Sequence, residues 1–292
     1  MIFSHILFPV DYSERAESIV PFVLYYAGMF NARITLLHVV LPPTIVYPLE
    51  TAWTTSTEEL ETYRKLGGER LEAFAQHHFS QFGDWNLVTT ICDIGDPAYT
   101  ITQAAKERGA ALIMMPTHGR GPFRSLLLGS VTAKVLHDTT CHVWTNAHLE
   151  QITPESAVRL QTILCAIDLD QESVTVMKTC ADVAQVARAQ VRLVHAVPSP
   201  EAGLEHYFDN EYREDLTAQA RDKITSLQQE AGTAYELTVD SGSVSHVIKR
   251  AAERFSADLT VIGRGGIQRR FGRLHTNVYS VIRDSPCPVL SL

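Results

Sequence analysis

The sequence predicts two consecutive α/β domains, each a doubly wound parallel sheet of five strands. Its 292 residues suffice for two domains, because domains typically hold ~100–200 residues. In each half, apolar runs typical of strands buried on both faces alternate with segments of helical periodicity. The same segments also occur twice in the same order, which indicates a duplicated α/β unit.

The repeat can be followed residue by residue. Residues 6–11, Ile-Leu-Phe-Pro-Val-Asp, match residues 163–168, Ile-Leu-Cys-Ala-Ile-Asp, at an offset of 157 (168 − 11). Residues 141–143, Cys-His-Val, match Cys-Pro-Val at residues 287–289, where the offset is 146 (287 − 141). The second copy is therefore shorter, and the polar segment between the copies indicates a linker. We predict a first domain over residues 1–146, a linker over residues 147–159 and a second domain over residues 160–292.

The first copy begins with a buried strand at residues 5–10, an unbroken apolar run. Ser13 is placed to cap the helix that follows, since its hydroxyl can accept a hydrogen bond from the first free amides. That helix is expected to run to Phe30, because apolar side chains recur at helical spacing up to that residue. Residues 33–40 predict the second strand, and residues 57–82 predict a long helix after a proline-rich loop.

The rest of the copy follows the same alternation. Residues 86–92 predict the third strand, and Asp96-Pro97 opens a helix that ends near Gly109, with proline at its preferred first position. The remaining predicted elements are a fourth strand at residues 111–115, a helix over about residues 130–137 and a short last strand at residues 141–145. Ligands of such sheets bind beyond the carboxyl ends of the strands, where strand order reverses. The loops after the first and fourth strands are therefore the candidate sites.

Composition excludes several classes of protein. A net charge of −8 disfavours nucleic-acid binding, because phosphates repel an acidic surface. The five cysteines are scattered and form no C-x-x-C pair, which favours a reducing cytoplasm over a disulfide framework or a zinc site. The start lacks the basic region of a signal peptide, and the longest helix-like apolar stretch, residues 20–30, is too short to span a bilayer. We expect a cytoplasmic protein without membrane contact.

The segment from Thr117 to Ser130 carries the most informative pattern, because it lies between a buried strand and a helix. Gly119 would let main-chain amides approach a ligand closely, and the helix start at Gly129-Ser130 would offer free amides and a positive dipole end to a phosphate. Asp11, at the tip of the first strand, could accept hydrogen bonds from ribose hydroxyls. The spacing alone fits equally well with glycines that only form turns and a serine that only caps the helix.

These residues resemble the signature of the universal stress protein family, in which G-x-x-G is followed by nine residues and G-[ST]. Nine residues separate Gly119 from Gly129. Also similar to the family are Ile-Leu-Phe-Pro-Val-Asp at residues 6–11, Leu-Leu-His-Val at residues 36–39 and Leu-Leu-Leu-Gly-Ser-Val-Thr-Ala-Lys-Val-Leu at residues 126–136. The resemblance covers nearly all of both copies and identifies the chain as a tandem of two such domains. It implies a Rossmann-like fold of the adenine nucleotide alpha hydrolase type, and a stress-response protein that binds ATP or another adenine nucleotide, with Mg²⁺.

The resemblance also implies which residues hold the nucleotide. Carried over position by position, Asp11 and the residues before it surround the adenosine, the residue after His38 lines the adenine site, and the glycines and G-[ST] hold the phosphates. The predicted binding residues are Pro9, Val10, Asp11, Val39, Thr117, His118, Gly119, Gly129, Ser130 and Val131. Pro116 departs from the family because it occupies the position of the first signature glycine, where a proline has no amide to offer. One phosphate contact is therefore expected to be lost.

The second copy keeps Asp168 but departs further from the signature. Gly263 begins a G-x-x-G, yet Thr276-Asn277 stands where G-[ST] is expected, and Ala196 takes the adenine position. We interpret this site as degenerate: it binds nothing, or it binds an anion through its arginines. Those arginines are Arg264, Arg269, Arg270 and Arg273. A solvated basic loop is the favoured interpretation of the cluster.

Three functions are compatible with these patterns. The first is a nucleotide-responsive stress protein whose complex alters partner binding, and the second is an interaction module without a nucleotide. The third is a slow nucleotide hydrolase, at most a slow ATPase. The sequence offers no acid/base pair and no activated nucleophile, so we predict no catalytic residue and no metal-binding residue. His38 and His195 each end a buried strand and are predicted to be hydrogen-bonded structural residues.

We predict that the two copies pair within one chain as a pseudo-dimer, because the resemblance implies pairing through the last strand and an open edge strand invites it. Association of whole chains into a homodimer stays open. Residues 1–146 expressed alone should then form a soluble homodimer through residues 141–145, measured by light scattering after size exclusion. A well-folded monomer of that fragment would contradict the pairing.

Overall fold

The described part of the chain groups into two compact units. A computed structural model describes residues 2–41, 56–119, 128–147, 158–197, 210–264 and 274–292. The first unit contains Met1–Trp144, and the second contains Arg159–Leu292 together with the short segment Thr145–His148. Each unit has its own buried core and is described by itself below.

The sheet of the first unit has five strands among its described residues. They are β1 His5–Pro9, β2 Arg33–Val40, β3 Val88–Ile94, β4 Leu112–Pro116 and β5 His142–Asn146. The strand order is β3-β2-β1-β4-β5. Strand β1 runs parallel to both β2 and β4, and β2 runs parallel to β3. The chain therefore moves outward in one direction from β1 and then in the other from β4, which makes the gap between the ends of β1 and β4 the switch point of the sheet.

Five helices connect these strands among the described residues. They are α1 Glu14–Ser18, α2 Val20–Phe30, α3 Thr57–Phe79, α4 Pro97–Arg108 and α5 Ser130–Asp138. Two caps form as the sequence predicts. The Asp96 carboxylate accepts from the Tyr99 amide at the start of α4, and Gly109 ends that helix with a left-handed φ of 62°.

The single helix predicted after Ser13 is wrong, because the structure contains two. Ser13 does cap α1, and its hydroxyl accepts from the Ala16 amide at 3.1 Å. The helix then breaks at Ile19, and α2 begins at Val20. Pro21 has no N–H to donate to the carbonyl of Glu17, so the apolar periodicity continues through a point where the hydrogen-bond ladder cannot.

The second unit repeats this topology. Its described strands are β6 Thr162–Ala166, β7 Gln190–Val197, β8 Glu236–Ser241, β9 Leu259–Ile262 and β10 Val289–Ser291, in the order β10-β9-β6-β7-β8. Its described helices are α6 Glu172–Ala187, α7 Asn210–Ala231, α8 Val244–Phe255 and α9 Leu274–Asp284. Strand β6 pairs in parallel with β7 and β9. The predicted fold class, two five-stranded doubly wound parallel sheets, is confirmed.

The central strand of the first unit explains its unbroken apolar sequence. Ile6, Leu7 and Phe8 are fully buried, as expected where helices cover both faces of a parallel sheet. The ring of Phe8 contacts Phe74 and Phe79 of α3, with ring centroids 6.4 and 6.3 Å apart. Burial of aromatic rings at this point fixes α3 on the sheet beside the end of β1.

Within the part of the chain that the structure describes, every helix is either too short or too polar to cross a lipid bilayer.

Helix α3 approaches the sheet closely at Gly67. A Cβ atom built on Gly67 would lie 2.6 Å from Cys92 Sγ and 3.0 Å from Val40 Cγ2, whereas one on Gly68 would lie 3.8 Å from Cys92 Cβ. The absence of a side chain at Gly67 is therefore a packing requirement, and the neighbouring Gly68 has no such requirement.

These two glycines give a matched pair of substitutions. Gly68→Ala should raise the free energy of unfolding by about 0.5–1 kcal/mol, because alanine favours a helix by that amount. Gly67→Ala gains the same propensity but overpacks the helix–sheet contact at a cost of about 1–3 kcal/mol, so the net change should be a loss. Urea denaturation followed by circular dichroism measures both changes. Equal stabilisation by the two substitutions would show that α3 does not pack as described.

Candidate functional site

The carboxylate of Asp11 is fixed at the carboxyl end of β1. Its Oδ1 accepts hydrogen bonds from the Ser13 amide at 3.0 Å and from the Ser13 hydroxyl at 2.6 Å. The other oxygen, Oδ2, faces Gly119, on which a Cβ atom would lie only 2.3 Å away. A side chain at 119 would therefore displace either the loop or the Asp11 carboxylate, and moving the carboxylate would disturb its hydrogen bonds to Ser13.

The start of α5 is held against the same loop. The Gly129 amide donates to the Thr117 carbonyl at 2.9 Å, and the Thr132 hydroxyl donates to the Pro116 carbonyl at 3.1 Å. A Cβ atom on Gly129 would lie 3.0 Å from the Thr117 oxygen, so this approach also favours glycine. Among the described residues no side chain caps the helix start at Gly129, and Ser130 is exposed. The first amides and the positive dipole end of α5 thus stand beside the end of β1.

The predicted apolar residues lie on the neighbouring strands. Pro9 ends β1 opposite Leu37 of β2, and Val10 is buried with its amide donating to the Leu37 carbonyl. Val39 lies on β2 and reaches the same edge of the sheet, and Val131 is half-buried in the first turn of α5. These residues can form apolar walls around the polar groups at Asp11 and Ser130.

His38 and His195, each two residues before the end of its strand, have the structural role that the sequence predicts. His38 Nδ1 lies 2.8 Å from the Val10 carbonyl oxygen, and His195 Nδ1 lies 2.8 Å from the Ile167 oxygen. In each unit, the histidine on the second strand therefore ties down the residue just before the aspartate. Through this hydrogen bond, each histidine helps to hold the aspartate that follows in its own unit.

His118 is held as a neutral imidazole. Its Nδ1 lies 3.0 Å from the hydroxyl of Thr117, which is itself buried, and its Nε2 is buried without a hydrogen-bond partner among the described residues. Burial lowers the pKa of His118, and the positive charge of Arg15 lowers that pKa further. Among the described residues, Arg15 therefore supplies positive charge beside this loop and the neutral His118 does not.

Sequence reasoning missed two residues of this site, Arg15 and Tyr12. Tyr12 follows Asp11 with a left-handed φ of 57°, which is uncommon for a bulky residue. Its ring lies against His38 with centroids 4.6 Å apart, the Arg70 guanidinium carbon stands 4.0 Å from its centroid, and its hydroxyl donates to the Gly67 carbonyl. Tyr12 thereby joins the Asp11 turn to α3. The turn position between Asp11 and Ser13 is the signal that could have identified Tyr12.

The equivalent edge of the second unit contains a cavity of about 70 Å³. Asp168, Asp170 and Glu172 line it, and all three are exposed at its rim. At the repeat offset of 157, Asp170 takes the position of Ser13 (170 − 13) and Glu172 that of Arg15 (172 − 15). Carboxylates in the second unit thus replace the Ser13 hydroxyl and the Arg15 guanidinium of the first unit.

The second unit also lacks the glycine-capped helix start. Helix α9 begins at Leu274, so Thr276 lies within its first turn instead of before it. Ser173 donates from its amide and its hydroxyl to Asp170 Oδ1, and not to the carboxylate of Asp168. Although Asp168 is exposed to solvent, the protein atoms around its carboxyl group exclude part of its hydration and raise its pKa, and the charge of Asp170 raises that pKa further.

The interpretation of the second-unit arginines as a solvated basic loop is wrong for Arg264. Its side chain is buried, and its Nε donates to the main-chain oxygen of Leu292 at 3.0 Å. Arg269, Arg270 and Arg273 lie outside the described residues. Among the residues that the structure describes, no three His, Cys, Asp or Glu side chains gather to hold a metal ion.

A model of the universal stress protein family matches residues 3–145 and 159–292. The chain belongs to the universal stress protein family. Because the family matches twice, the chain carries two universal stress protein domains in tandem, referred to below as the first and second domains.

Known universal stress proteins match the chain in part or in full. A universal stress protein from Mycolicibacterium smegmatis is 28% identical over 138 residues, which cover 47% of this chain and 44% of that relative. The crystal structure of a universal stress protein from Archaeoglobus fulgidus covers 98% of this chain and 95% of its own, with 21% identity and a TM-score of 0.67, which shows the shared fold. A universal stress protein solved in complex with cAMP covers 46% of this chain and 97% of its own, with 21% identity and a TM-score of 0.33.

The raised pKa of Asp168 predicts a stability change in this universal stress protein. A carboxyl group whose pKa is higher in the folded state destabilises that state once the pH exceeds the ordinary aspartate value of about 3.9. Asp168→Asn should therefore raise the urea midpoint of the second domain at pH 7, and the gain should vanish as the pH falls towards that value. Asp11→Asn is the control, because Asp11 accepts two hydrogen bonds from Ser13 and its substitution should bring no gain. A loss of stability in Asp168→Asn at pH 7 would contradict the description of this rim.

Proposed function

We propose that this universal stress protein binds ATP or another adenine nucleotide, with Mg²⁺, in its first domain, and that the complex alters its interactions in a stress response. One observation carries the proposal: the Asp11 carboxylate, the Gly119 backbone and the uncapped start of α5 converge at the switch point of the sheet. An aspartate for hydroxyl groups beside a helix start for phosphates suits a nucleotide.

Each part of the nucleotide has a matching group in this arrangement. Ser13 already donates two hydrogen bonds to Asp11 Oδ1. The other carboxylate oxygen, Oδ2, would therefore accept a hydrogen bond from a ribose hydroxyl. The Ser130 hydroxyl and the first amides of α5 would donate to phosphate oxygens, with Arg15 adding positive potential nearby. Mg²⁺ would arrive bound to the phosphates, since it is usually held by few protein carboxylates and by substrate phosphates.

Pro116 weakens this site without closing it. The missing amide removes one donor to a charged group, at a cost of about 1.5–3 kcal/mol. The Pro116 carbonyl, however, accepts from the Thr132 hydroxyl and so helps to hold the loop against α5. We expect a reduced affinity and an intact site.

Two other functions are separable from this one by experiment. An interaction module without a nucleotide is favoured by Pro116 and by the altered second site, and a slow ATPase would need a base that has not been identified. Mass spectrometry of nucleotides released from the purified, denatured protein distinguishes a nucleotide-binding protein from the module.

The first domain should bind ATP through Asp11, and the second should not bind it through Asp168. Asp11→Ala should weaken ATP binding by roughly 10–100-fold, the range for losing a hydrogen bond to a charged group. Asp168→Ala should leave the affinity unchanged. Titration calorimetry of both variants with ATP and Mg²⁺ measures the difference. Equal losses would place the nucleotide in both domains, and a loss only in Asp168→Ala would overturn the assignment.

A negative charge introduced at Ser130 tests where the phosphates bind, and it should leave the fold intact because Ser130 is exposed. Ser130→Asp should strengthen α5, because a carboxylate at a helix start is favourable, yet it should weaken ATP binding at least about tenfold through repulsion of the phosphates. Ser130→Asn is similar in size but uncharged, and should bind ATP far better than Ser130→Asp. Thermal unfolding checks the helix and calorimetry checks the ligand. Undiminished binding by Ser130→Asp would put the phosphates elsewhere.

A further inference from the structure

We propose that the cavity of the second domain binds a small organic cation, an aliphatic ammonium compound, instead of a nucleotide. This inference does not rest on the nucleotide site of the first domain. It rests on the walls of the cavity, on the charges at its rim and on the hydrogen bonding of Asp168.

The walls of the cavity are apolar and come from different elements. Each of the following lining residues is at most 5% exposed: Val176 of α6, Val194 of β7, Ile248 of α8, Ile262 of β9 and Val281 of α9. A cavity of about 70 Å³ has room for on the order of five water molecules, and therefore for an alkyl chain of a few carbons. Such walls stabilise an alkyl group and give a phosphate nothing to bind.

The rim of the cavity is anionic. Asp168, Asp170 and Glu172 are all exposed there, where water can still hydrate a charged ligand group. A phosphate at this position would meet three carboxylates, and like charges disfavour each other at close range. An ammonium group would instead meet opposite charge while its alkyl chain lies in the cavity.

Asp168 has unused hydrogen-bonding capacity. Asp11 of the first domain accepts two hydrogen bonds from Ser13, but among the described residues no donor reaches the carboxylate of Asp168. Ser173 donates to the main-chain oxygen of Asp168 and to the carboxylate of Asp170. A carboxylate only accepts hydrogen bonds, and an ammonium group only donates them, so the two are complementary.

Arg264 does not turn the cavity into an anion site. It is the only cationic residue among the described lining residues, against three carboxylates. Its Nε and its main-chain amide both donate to the main-chain oxygen of Leu292, at 3.0 and 3.3 Å. These bonds anchor the buried side chain to the end of β10, and the described lining residues carry a net negative charge.

The test is a titration of the full chain with three ligands of similar shape, butylammonium, butanol and butyrate, followed through the methyl NMR signals of Ile248, Ile262 and Val281. Butylammonium should shift these signals saturably, with an affinity up to about fivefold above that of butanol, since an ion pair at an exposed rim contributes up to about 1 kcal/mol. Added salt should reduce this preference. Butyrate should bind more weakly than butanol.

Substitutions complete the test. Asp168→Asn should reduce the butylammonium affinity to that of butanol, and Asp11→Asn should leave it unchanged. An unaltered methyl spectrum without ligand verifies the fold of Asp168→Asn, and Glu172→Gln, which should weaken binding less, serves as a second variant. Equal binding of butanol and butylammonium, preference for butyrate, or full affinity in Asp168→Asn would each overturn the proposal. Because ATP binding is read from Asp11, failure here and failure of the nucleotide site are distinguishable.

Discussion

The close approach of two loops at the switch point of the first sheet is the constraint on which the rest of the site depends. The Gly129 amide donates to the Thr117 carbonyl, and Gly119 lies where a Cβ atom would strike Asp11 Oδ2. Together these contacts set the start of α5 against the end of β1. The strand order β3-β2-β1-β4-β5 makes this contact possible. Strands β1 and β4 are distant in sequence but neighbours in the sheet, so the loops that follow them meet at the same edge.

The two domains show how one fold can carry two kinds of rim. The buried strands and the histidine that binds the residue before the aspartate are the same in both, since His38 and His195 make equivalent bonds of 2.8 Å. The positions at the rim differ, because the half-buried Ser13 and Arg15 correspond to the exposed Asp170 and Glu172. None of these four side chains belongs to the apolar core, so their charge can differ between the domains while the buried scaffold stays the same. The electrostatic potential at the carboxyl ends of the strands can therefore differ between the two domains.

Local signals predicted the scaffold well. The strand at residues 33–40 has the predicted bounds, and Ser13, Asp96 and Gly109 cap helices as expected, because strand burial and capping depend on residues close in sequence. The break before α2 was missed because apolar periodicity persists through Pro21, where the amide is lost. The burial of Arg264 could not be predicted, since it depends on an oxygen 28 residues away at Leu292. Asp170 and Glu172 acquired meaning only when the fold placed them around one cavity.

The central claim is that the convergence of Asp11, Gly119 and the start of α5 makes the first domain the nucleotide site. The most direct measurement is a crystal structure of the full chain with ATP and Mg²⁺. The account predicts nucleotide density with a ribose hydroxyl at Asp11 and phosphate oxygens at Ser130, and no nucleotide against Asp168. Density against Asp168 and Asn277 with the first domain empty would contradict it.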